Sequence, residues 1–320
     1  MAWEFAPPSE VARQLGPLVD AERLVAEIDE PLGTSAPIAF RIARETCTPG
    51  TPANDCRAYH AIWQYLRLTG VIRSLRSDGA LFVAAAERRA RADRLRRVLI
   101  CGTADYSMLA YLGHAARQAG ARTHFDVLDR CESTLRINNW YAEQRGLSVA
   151  TIASDVFAHA PEQPYDLICT HSFLRWVDRE KRPLLMQRWH DWLAPGGEVC
   201  FSNRIDPEVV QDRPQAPDQD LDGRMDTMTM EFFKRCDELR VTLPAERDRF
   251  AEMIRQYGGR TKHRQYDMPM SALQRWMESA SLVPALVVRV KDIVANAKDR
   301  ASTPVRTEGR PRTWFLVQRA

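Results

Sequence analysis

Between residues 95 and 203, short apolar runs alternate with longer stretches whose apolar residues recur at helical spacing. The short runs predict strands and the longer stretches predict helices. The predicted strands are 97–101, 123–128, 148–152, 166–170 and 198–202. The predicted helices are 107–119, 132–145 and 181–193. This alternation is typical of a parallel sheet covered by helices on both faces.

The chain on either side of this region follows other patterns. Residues 1–93 show helical periodicity around 11–28, 59–68, 71–75 and 82–95, and the prolines that predict loops are Pro31, Pro37, Pro49 and Pro52. Residues 206–268 are polar and predict a mostly helical insertion, followed by a helix at 271–280. Two apolar runs, 285–290 and 313–318, predict an antiparallel strand pair.

We therefore predict an α/β fold with a doubly wound, mostly parallel seven-stranded sheet. Residues 1–93 are predicted to form a helical N-terminal cap. Residues 94–320 are predicted to form the α/β domain, which carries the helical insertion 206–268.

One βαβ segment carries a chemical signal. The first strand meets a turn at Gly102, and the second strand ends on an acid, Asp129. An acid at this position can accept hydrogen bonds from both ribose hydroxyls of an adenosine. The segment thus predicts nucleotide binding, although its first turn holds one glycine where such sites usually carry two or three.

Composition narrows the class of protein. The chain has 320 residues and a formal net charge of +3, which gives no case for nucleic-acid binding. No apolar run reaches the roughly 18 residues of a membrane span, and residues 1–9 lack the pattern of a signal peptide. We expect a cytoplasmic protein without membrane or nucleic-acid partners, in which the arginine-rich segment 88–97 is the solvated end of a helix.

The seven cysteines are dispersed, and none pair as C-x-x-C. This usage is typical of reduced, buried thiols. We find no two Cys or His at ligand spacing and therefore predict no metal. Cys131, near Asp129, is either a reactive thiol or a small apolar residue at the start of a helix.

Residues 97–203, and more weakly the rest to residue 320, resemble the class I S-adenosylmethionine (SAM) dependent methyltransferases. Four ordered features carry the resemblance. They are Val98-Leu99-Ile100-Cys101-Gly102-Thr103-Ala104-Asp105, the strand ending on Asp129, Ser154-Asp155-Val156-Phe157, and the strand Asp166-Leu167-Ile168-Cys169-Thr170-His171-Ser172-Phe173 before Leu193-Ala194-Pro195-Gly196-Gly197.

The resemblance implies SAM as cofactor and a Rossmann-like fold. Gly102 and its neighbours would lie along the methionine part, Asp129 would hold the ribose, and Asp155 would accept from the adenine amino group. Residues at the end of the fourth strand would face the sulfonium. The candidate cofactor-binding residues are Gly102, Thr103, Ala104, Asp129, Arg130, Asp155, Val156, Phe157, Thr170, Ser172 and Phe173.

The candidate catalytic residues are His171, Asn139 and Trp176. His171 would act as general base, an amide of the Asn138-Asn139 pair could reach the cofactor, and Trp176 with Phe173 could wall the pocket. His171 could instead be a structural histidine, the Asn138-Asn139 pair could lie at the surface, and Trp176 and Phe173 could be rings of the core.

Three further positions keep two interpretations each. Asp129 could cap the helix that begins at Glu132, and Asp155 could be a turn residue. Arg67 could pair with the SAM carboxylate or form a surface salt bridge.

The first turn departs from the family pattern. Ile100 stands at the usual acidic position, and Ala104 and Tyr106 stand at the later glycine positions. Glycine there permits close backbone approach. Its replacement predicts that the methionine tail is held differently or farther out.

The residues leave several activities open. The first is methyl transfer from SAM to a small-molecule, natural-product acceptor. The second is cyclisation of SAM itself to azetidine-2-carboxylate with release of methylthioadenosine, since the layout is similar to that of bacterial azetidine-2-carboxylate synthases. The third is SAM binding without catalysis. The acceptor, the methylated atom and the oligomeric state stay open.

Overall fold

The structure is a computed structural model that describes residues 3–47, 55–72, 74–205, 213–214, 221–262, 266–293 and 312–320. Its helices are α1 (Pro8–Leu15), α2 (Ala21–Glu27), α3 (Leu32–Thr46), α4 (Arg57–Leu68), α5 (Gly79–Arg91), α6 (Ser107–Gln118), α7 (Glu132–Arg145), α8 (Arg182–Trp192), α9 (Leu221–Glu238), α10 (Arg247–Lys262), α11 (Met270–Ser279) and α12 (Val290–Ile293). Its strands are β1 (Arg97–Cys101), β2 (His124–Asp129), β3 (Ser148–Ala153), β4 (Tyr165–His171), β5 (Leu193–Arg204), β6 (Arg213–Pro214), β7 (Tyr266–Asp267), β8 (Leu282–Arg289) and β9 (Arg312–Arg319).

Seven strands form one sheet in the order β3-β2-β1-β4-β5-β9-β8. Neighbouring strands from β1 to β5 are parallel, whereas β9 is antiparallel to β5 and β8. The predicted seven-stranded, mostly parallel sheet is therefore confirmed. The chain moves outward from β1 to β3 and then continues on the other side of β1, through β4. The carboxyl ends of β1 and β4 thus flank the crevice where doubly wound sheets bind ligands.

The helices that precede the sheet divide between two hydrophobic cores. Helices α1, α2 and α5 pack into the core that includes β1 and α6. Most of the buried face of α4, and part of that of α3, packs instead on the insertion helices α9 and α10. The rings of Phe40 and Phe250 stack there, with centroids 5.6 Å apart. The division of the chain at residue 93 stays a prediction.

Three local predictions in this region are wrong. Residues 11–28 form two helices, because Gly16 at φ +82° and the following Pro17 end α1. Pro37 lies inside α3 and not in a loop, since the buried neighbours Ala36 and Phe40 hold this helix despite one missing backbone donor. The predicted helix 71–75 is wrong, since residues 71 and 72 are not helical and residues 74–77 form a 3-10 helix. Pro49 and Pro52 lie outside the described residues.

The arginine-rich segment before β1 is not simply solvated. The Arg89 side chain is buried, with Nη1 3.1 Å from Glu198 Oε2, and it donates to the Gly196 carbonyl at 3.0 Å. Arg97 pairs with the buried Asp126 at 2.7 Å. Arg89 therefore fastens α5 to the first half of β5, and Arg97 joins β1 to β2. Within the described ranges, no helix has the length and apolar character needed to cross a bilayer.

Candidate functional site

The turn after β1 is shaped by Gly102. Its backbone has φ +71°, and its N–H donates to the Leu128 carbonyl at 2.8 Å. A Cβ at this position would collide with the ring of Phe173, which follows β4. Phe173, predicted as a pocket wall, therefore packs directly on the first turn.

Replacing Gly102 with alanine tests this contact. We expect the free energy of unfolding to fall by about 2–4 kcal/mol, from left-handed strain and displacement of the Phe173 ring. Gly120→Ala is the matched control, because Gly120 has φ +65° and open space around its Cα, so about 1–2 kcal/mol is expected. Urea unfolding measures both. Equal losses would contradict the role of the ring.

Asp129 joins the first turn to the turn after β2. Its Oδ2 accepts the Thr103 N–H at 3.0 Å, and its Oδ1 accepts the Cys131 N–H at 2.7 Å. Cys131, and not Asp129, is the N-cap of α7. Burial raises the pKa of Asp129, and the two N–H groups oppose this. Each carboxylate oxygen keeps a second lone pair, which can accept from a ribose hydroxyl.

Arg67 of α4 forms an ion pair that holds the first turn. In the family that the sequence resembles, this turn usually carries glycines. Arg67 is buried, with nitrogens 2.5 Å from Asp105 Oδ2 and 2.5 Å from Glu30 Oε1. Asp105 also accepts the Ser107 N–H at 2.9 Å at the start of α6. The predicted surface salt bridge is therefore wrong, since Arg67 pairs with two carboxylates inside the protein. Its pairing with the SAM carboxylate stays a prediction without a supporting contact.

Tyr106 fills the last of the replaced glycine positions. Its hydroxyl lies 2.8 Å from Ser35 Oγ. Its ring stacks on Tyr141 with centroids 4.4 Å apart and an interplanar angle of 2°. The departure in sequence thus connects the turn to α3 and α7 through buried aromatic packing.

The residues after β3 form a turn. Asp155 Oδ1 accepts the Phe157 N–H at 2.9 Å, and Arg130 Nε lies 3.6 Å from Asp155 Oδ2 at the surface. Val156 is buried in the same hydrophobic core as Leu128. Asp155 is therefore a turn residue, and its adenine role stays a prediction because Oδ2 is still accessible to a ligand.

The carboxyl end of β4 is strained and polar. Ser172 has φ +57°, and its N–H donates to the Ser202 carbonyl at 2.7 Å. Its hydroxyl accepts from Arg312 Nη1 at 2.8 Å. A non-glycine residue in this conformation costs about 1–3 kcal/mol and is enriched at functional sites. Beside it, His171 Nε2 lies 3.2 Å from Asp78 Oδ1.

His171 and Asp78 form an acid–histidine pair. Burial lowers the pKa of His171, although Asp78 opposes this. Burial raises the pKa of Asp78, but His171 and Arg312 outweigh it and bring that pKa to about 2. Asp78 is therefore ionised at neutral pH and faces Nε2 of a neutral imidazole. This favours the tautomer with the proton on Nε2, which leaves Nδ1 able to accept a proton.

The side-chain amides of Asn138 and Asn139 form hydrogen bonds within the protein. Asn139 Nδ2 donates to Thr151 Oγ1 at 3.0 Å, and the buried Asn138 donates to the Thr134 carbonyl at 2.8 Å. The proposed reach of this pair to the cofactor stays a prediction without a supporting contact. Thr170 is buried within β4, and its Oγ1 has no hydrogen-bond partner among the residues described.

Half-buried aromatic rings gather above the end of β4. Tyr59 on α4 stacks on Tyr257 of α10, with ring centroids 5.7 Å apart. The centroid of the Tyr59 ring lies 5.0 Å from that of Trp63 and 6.2 Å from that of Trp176. This aromatic cluster, Tyr59, Trp63, Trp176 and Tyr257, joins a helix of the predicted cap to one of the insertion. It includes the predicted Trp176.

A cation lies against this cluster. The Arg175 guanidinium is 5.6 Å from the centroid of the Trp176 ring, and burial lowers the pKa of Arg175. No carboxylate lies within salt-bridge distance of it in the described part of the chain.

Sequence reasoning missed Asp78, Tyr257 and Arg175. Asp78 directly precedes α5, where an aspartate is ordinarily an N-cap and gives no functional signal. Tyr257 and Arg175 are single residues on separate elements, so no local pattern marks them.

Known proteins resemble this chain in fold and not in sequence. No family model and no curated protein matches the sequence. Coclaurine N-methyltransferase, solved with N-methylheliamine and S-adenosylhomocysteine, is similar at 12% identity and TM-score 0.52, over 98% of this chain and 94% of that chain.

Two bacterial structures overlap less well. They are a SAM-dependent methyltransferase from Clostridium acetobutylicum ATCC 824 (10% identity, TM-score 0.48, 82% of this chain and 98% of that chain) and the 1,6-didemethyltoxoflavin-N1-methyltransferase of Burkholderia thailandensis (15% identity, TM-score 0.47, 85% and 92%). The order of the strands in the sheet and the overlap with the coclaurine enzyme indicate the same fold. This chain therefore has the Rossmann-like fold of the class I SAM-dependent methyltransferases.

Proposed function

We propose that this protein is a SAM-dependent methyltransferase acting on a small-molecule acceptor. The observation that carries the proposal is Asp129, an acid at the end of β2 whose carboxylate is hydrogen-bonded to the first turn through the Thr103 N–H. In doubly wound folds an acid at this place holds a ribose. The acid–histidine pair at the end of β4 lies at the same edge of the sheet.

The described residues suggest how SAM is held. Asp129 would accept from the ribose hydroxyls, and Asp155 Oδ2 would accept from the adenine amino group. Arg67 is already paired with two carboxylates, so it is not free for the methionine carboxylate. Arg175 is the better candidate to hold a carboxylate, from either the methionine part or the acceptor, because no carboxylate of the described residues lies within salt-bridge distance of its half-buried guanidinium.

His171 would act as general base. In the transfer, a nucleophilic atom of the acceptor attacks the methyl carbon while the carbon–sulfur bond breaks, which yields S-adenosylhomocysteine. His171 Nδ1 takes the proton of the acceptor, and ionised Asp78 stabilises the imidazolium that forms. The protein otherwise aligns the two reactants and excludes water.

The aromatic cluster indicates the class of acceptor. Flat, half-buried rings from α4, α10 and the turn after β4 offer an apolar wall. The coclaurine enzyme of similar fold is an N-methyltransferase solved with N-methylheliamine. We propose a ring-containing natural product with an amine or hydroxyl as the acceptor.

Product analysis tests the proposal. The full chain is incubated with SAM, with and without a panel of ring-containing amines and phenols, and the products are separated by mass spectrometry. S-adenosylhomocysteine that forms only with an acceptor supports methyl transfer. Methylthioadenosine and azetidine-2-carboxylate formed from SAM alone would replace it with cyclisation. A protein that binds SAM without turnover across the panel, or does not bind it, contradicts the proposal.

A further inference from the structure

A cysteine–histidine cluster lies beside the proposed cofactor site. Cys47 follows α3, Cys56 is the N-cap of α4, His60 lies in the first turn of α4, and Cys131 is the N-cap of α7. Their ligand atoms all lie within 4.8 Å of one another. Three separate parts of the chain thus deliver three sulfurs and one imidazole nitrogen to a single point.

The separations fit a tetrahedral metal site. Cys131 Sγ is 3.6 Å from both Cys47 Sγ and Cys56 Sγ, and His60 Nδ1 is 3.4 Å from Cys47 Sγ and 3.3 Å from Cys131 Sγ. Zinc bonds of about 2.3 Å to sulfur and about 2.0–2.1 Å to nitrogen, at tetrahedral angles, place the ligand atoms about 3.5–3.8 Å apart. The observed distances lie within a few tenths of an ångström of these values.

Electrostatics favours a cation at this point. Cys131 Sγ lies only 3.6 Å from the sulfurs of Cys47 and Cys56, so three thiolates at this point would repel one another. A divalent cation removes this repulsion and binds all three sulfurs as thiolates. Three thiolates and one zinc ion carry one net negative charge, and the Arg57 guanidinium, whose charge interacts with Cys47 and Cys56, lies beside them.

We propose that Cys47, Cys56, His60 and Cys131 bind one structural zinc ion. Three thiolates and one imidazole are a donor set that selects zinc. Four protein ligands leave no open coordination position, which is the arrangement of structural and not catalytic zinc sites. The inference does not depend on the proposed methyl transfer.

The prediction that no two Cys or His lie at ligand spacing is wrong. Cys56 and His60 are four residues apart at the start of α4, so they lie on one face of the helix. The other two ligands come from α3 and α7, which only the fold brings near. With that basis removed, the prediction of no metal has no support, and Cys131 is more than a small residue at the start of a helix.

The position of the cluster indicates a structural role for the zinc ion. It fastens the ends of α3 and α4 to the turn after β2. The N–H of Cys131 donates to Asp129 Oδ1 at 2.7 Å, so the metal also fixes the turn that carries this acid. Removing the metal should therefore lower the melting temperature and loosen this turn.

Metal analysis of the full chain tests the site. Protein purified under reducing conditions without chelator should contain one zinc ion per chain by inductively coupled plasma mass spectrometry. After zinc is exchanged for cobalt(II), the spectrum should show thiolate-to-cobalt charge transfer and the intense ligand-field bands of tetrahedral cobalt. Cys47→Ser/Cys131→Ser should lose this spectrum and bind zinc more than about 100-fold more weakly.

Cys236→Ser is the matched control, because Cys236 is a buried free cysteine on α9 outside the cluster. It should keep the zinc and the cobalt spectrum. Unchanged zinc affinity in the double variant would overturn the proposal. If that variant does not fold, the wild type decides: a reduced full chain that takes up neither zinc nor cobalt overturns the site. These readouts use no SAM, so they stand whatever the outcome of the product analysis.

Discussion

Replacing His171 with asparagine is expected to lower kcat by about 10²–10⁴-fold, the usual contribution of a positioned general base. Asparagine retains polarity and similar size but does not accept the acceptor's proton at neutral pH. The KM for SAM should change little, since the proposed ribose and adenine contacts come from β2 and β3. Steady-state rates with an acceptor found by the product analysis measure both constants.

The pH profile gives a second readout of the same residue. Burial lowers the pKa of His171 below its ordinary value of 6.5, so the imidazole stays neutral at pH 7. The wild-type kcat should hold as the pH falls to about 6.5 and decline only below it, when His171 becomes protonated. His171→Asn should lose this acidic limb. Asp78→Asn should also lower kcat, because it removes the carboxylate that orients the ring.

The matched control is a second acid–histidine pair. His190 Nδ1 lies 3.0 Å from Asp191 Oδ1 on α8. His190→Asn should leave kcat and the pH profile unchanged. Wild-type kcat in His171→Asn, or an equal loss in His190→Asn, would contradict the assignment of His171 as base.

Replacing Asp129 with alanine is expected to weaken binding of S-adenosylhomocysteine by about 10–200-fold, which corresponds to the loss of about 1.5–3 kcal/mol from hydrogen bonds to a charged group. The variant removes the proposed ribose acceptor and also frees the Thr103 N–H. Isothermal titration calorimetry on the reduced full chain measures the dissociation constant.

Asp166→Ala separates binding from stability. Asp166 makes the same kind of contact as Asp129, because its Oδ2 accepts two backbone N–H groups, from Arg96 and Arg97, at 2.8 and 2.9 Å. It lies at the amino end of β4, at the opposite edge of the sheet. Both variants should lose similar stability, but only Asp129→Ala should lose affinity. Equal affinities in the two variants would refute the ribose role.

Local patterns were enough to predict the sheet. The predicted bounds of β1 and α7 agree with the structure to the residue, because buried parallel strands require unbroken apolar runs and their helices require apolar residues at helical spacing. The terminal antiparallel pair followed from two further apolar runs. Errors arose where a single residue changed the backbone, as at Gly16, or where packing overrode propensity, as at Pro37.

The candidate site was only partly predictable. Asp129 and Gly102 follow from the βαβ pattern, because their strands are neighbours in both sequence and space. The partners of Arg67 could not be deduced, since helical periodicity places it on α4 without showing which acids α4 meets. The pairing of His171 with Asp78 depends likewise on α5 reaching the end of β4.

By itself, the sequence determined the doubly wound sheet, the acid at the end of β2 and the glycine of the first turn. Each depends on residues close together in the chain, where hydrophobic periodicity and backbone conformation act locally. Only the tertiary structure decided the acid–histidine pair, the buried ion pair at the altered turn and the cysteine–histidine cluster. These are contacts between segments that are distant in the sequence. Their distances are set by how the N-terminal helices pack on the rest of the fold, which no local pattern reveals.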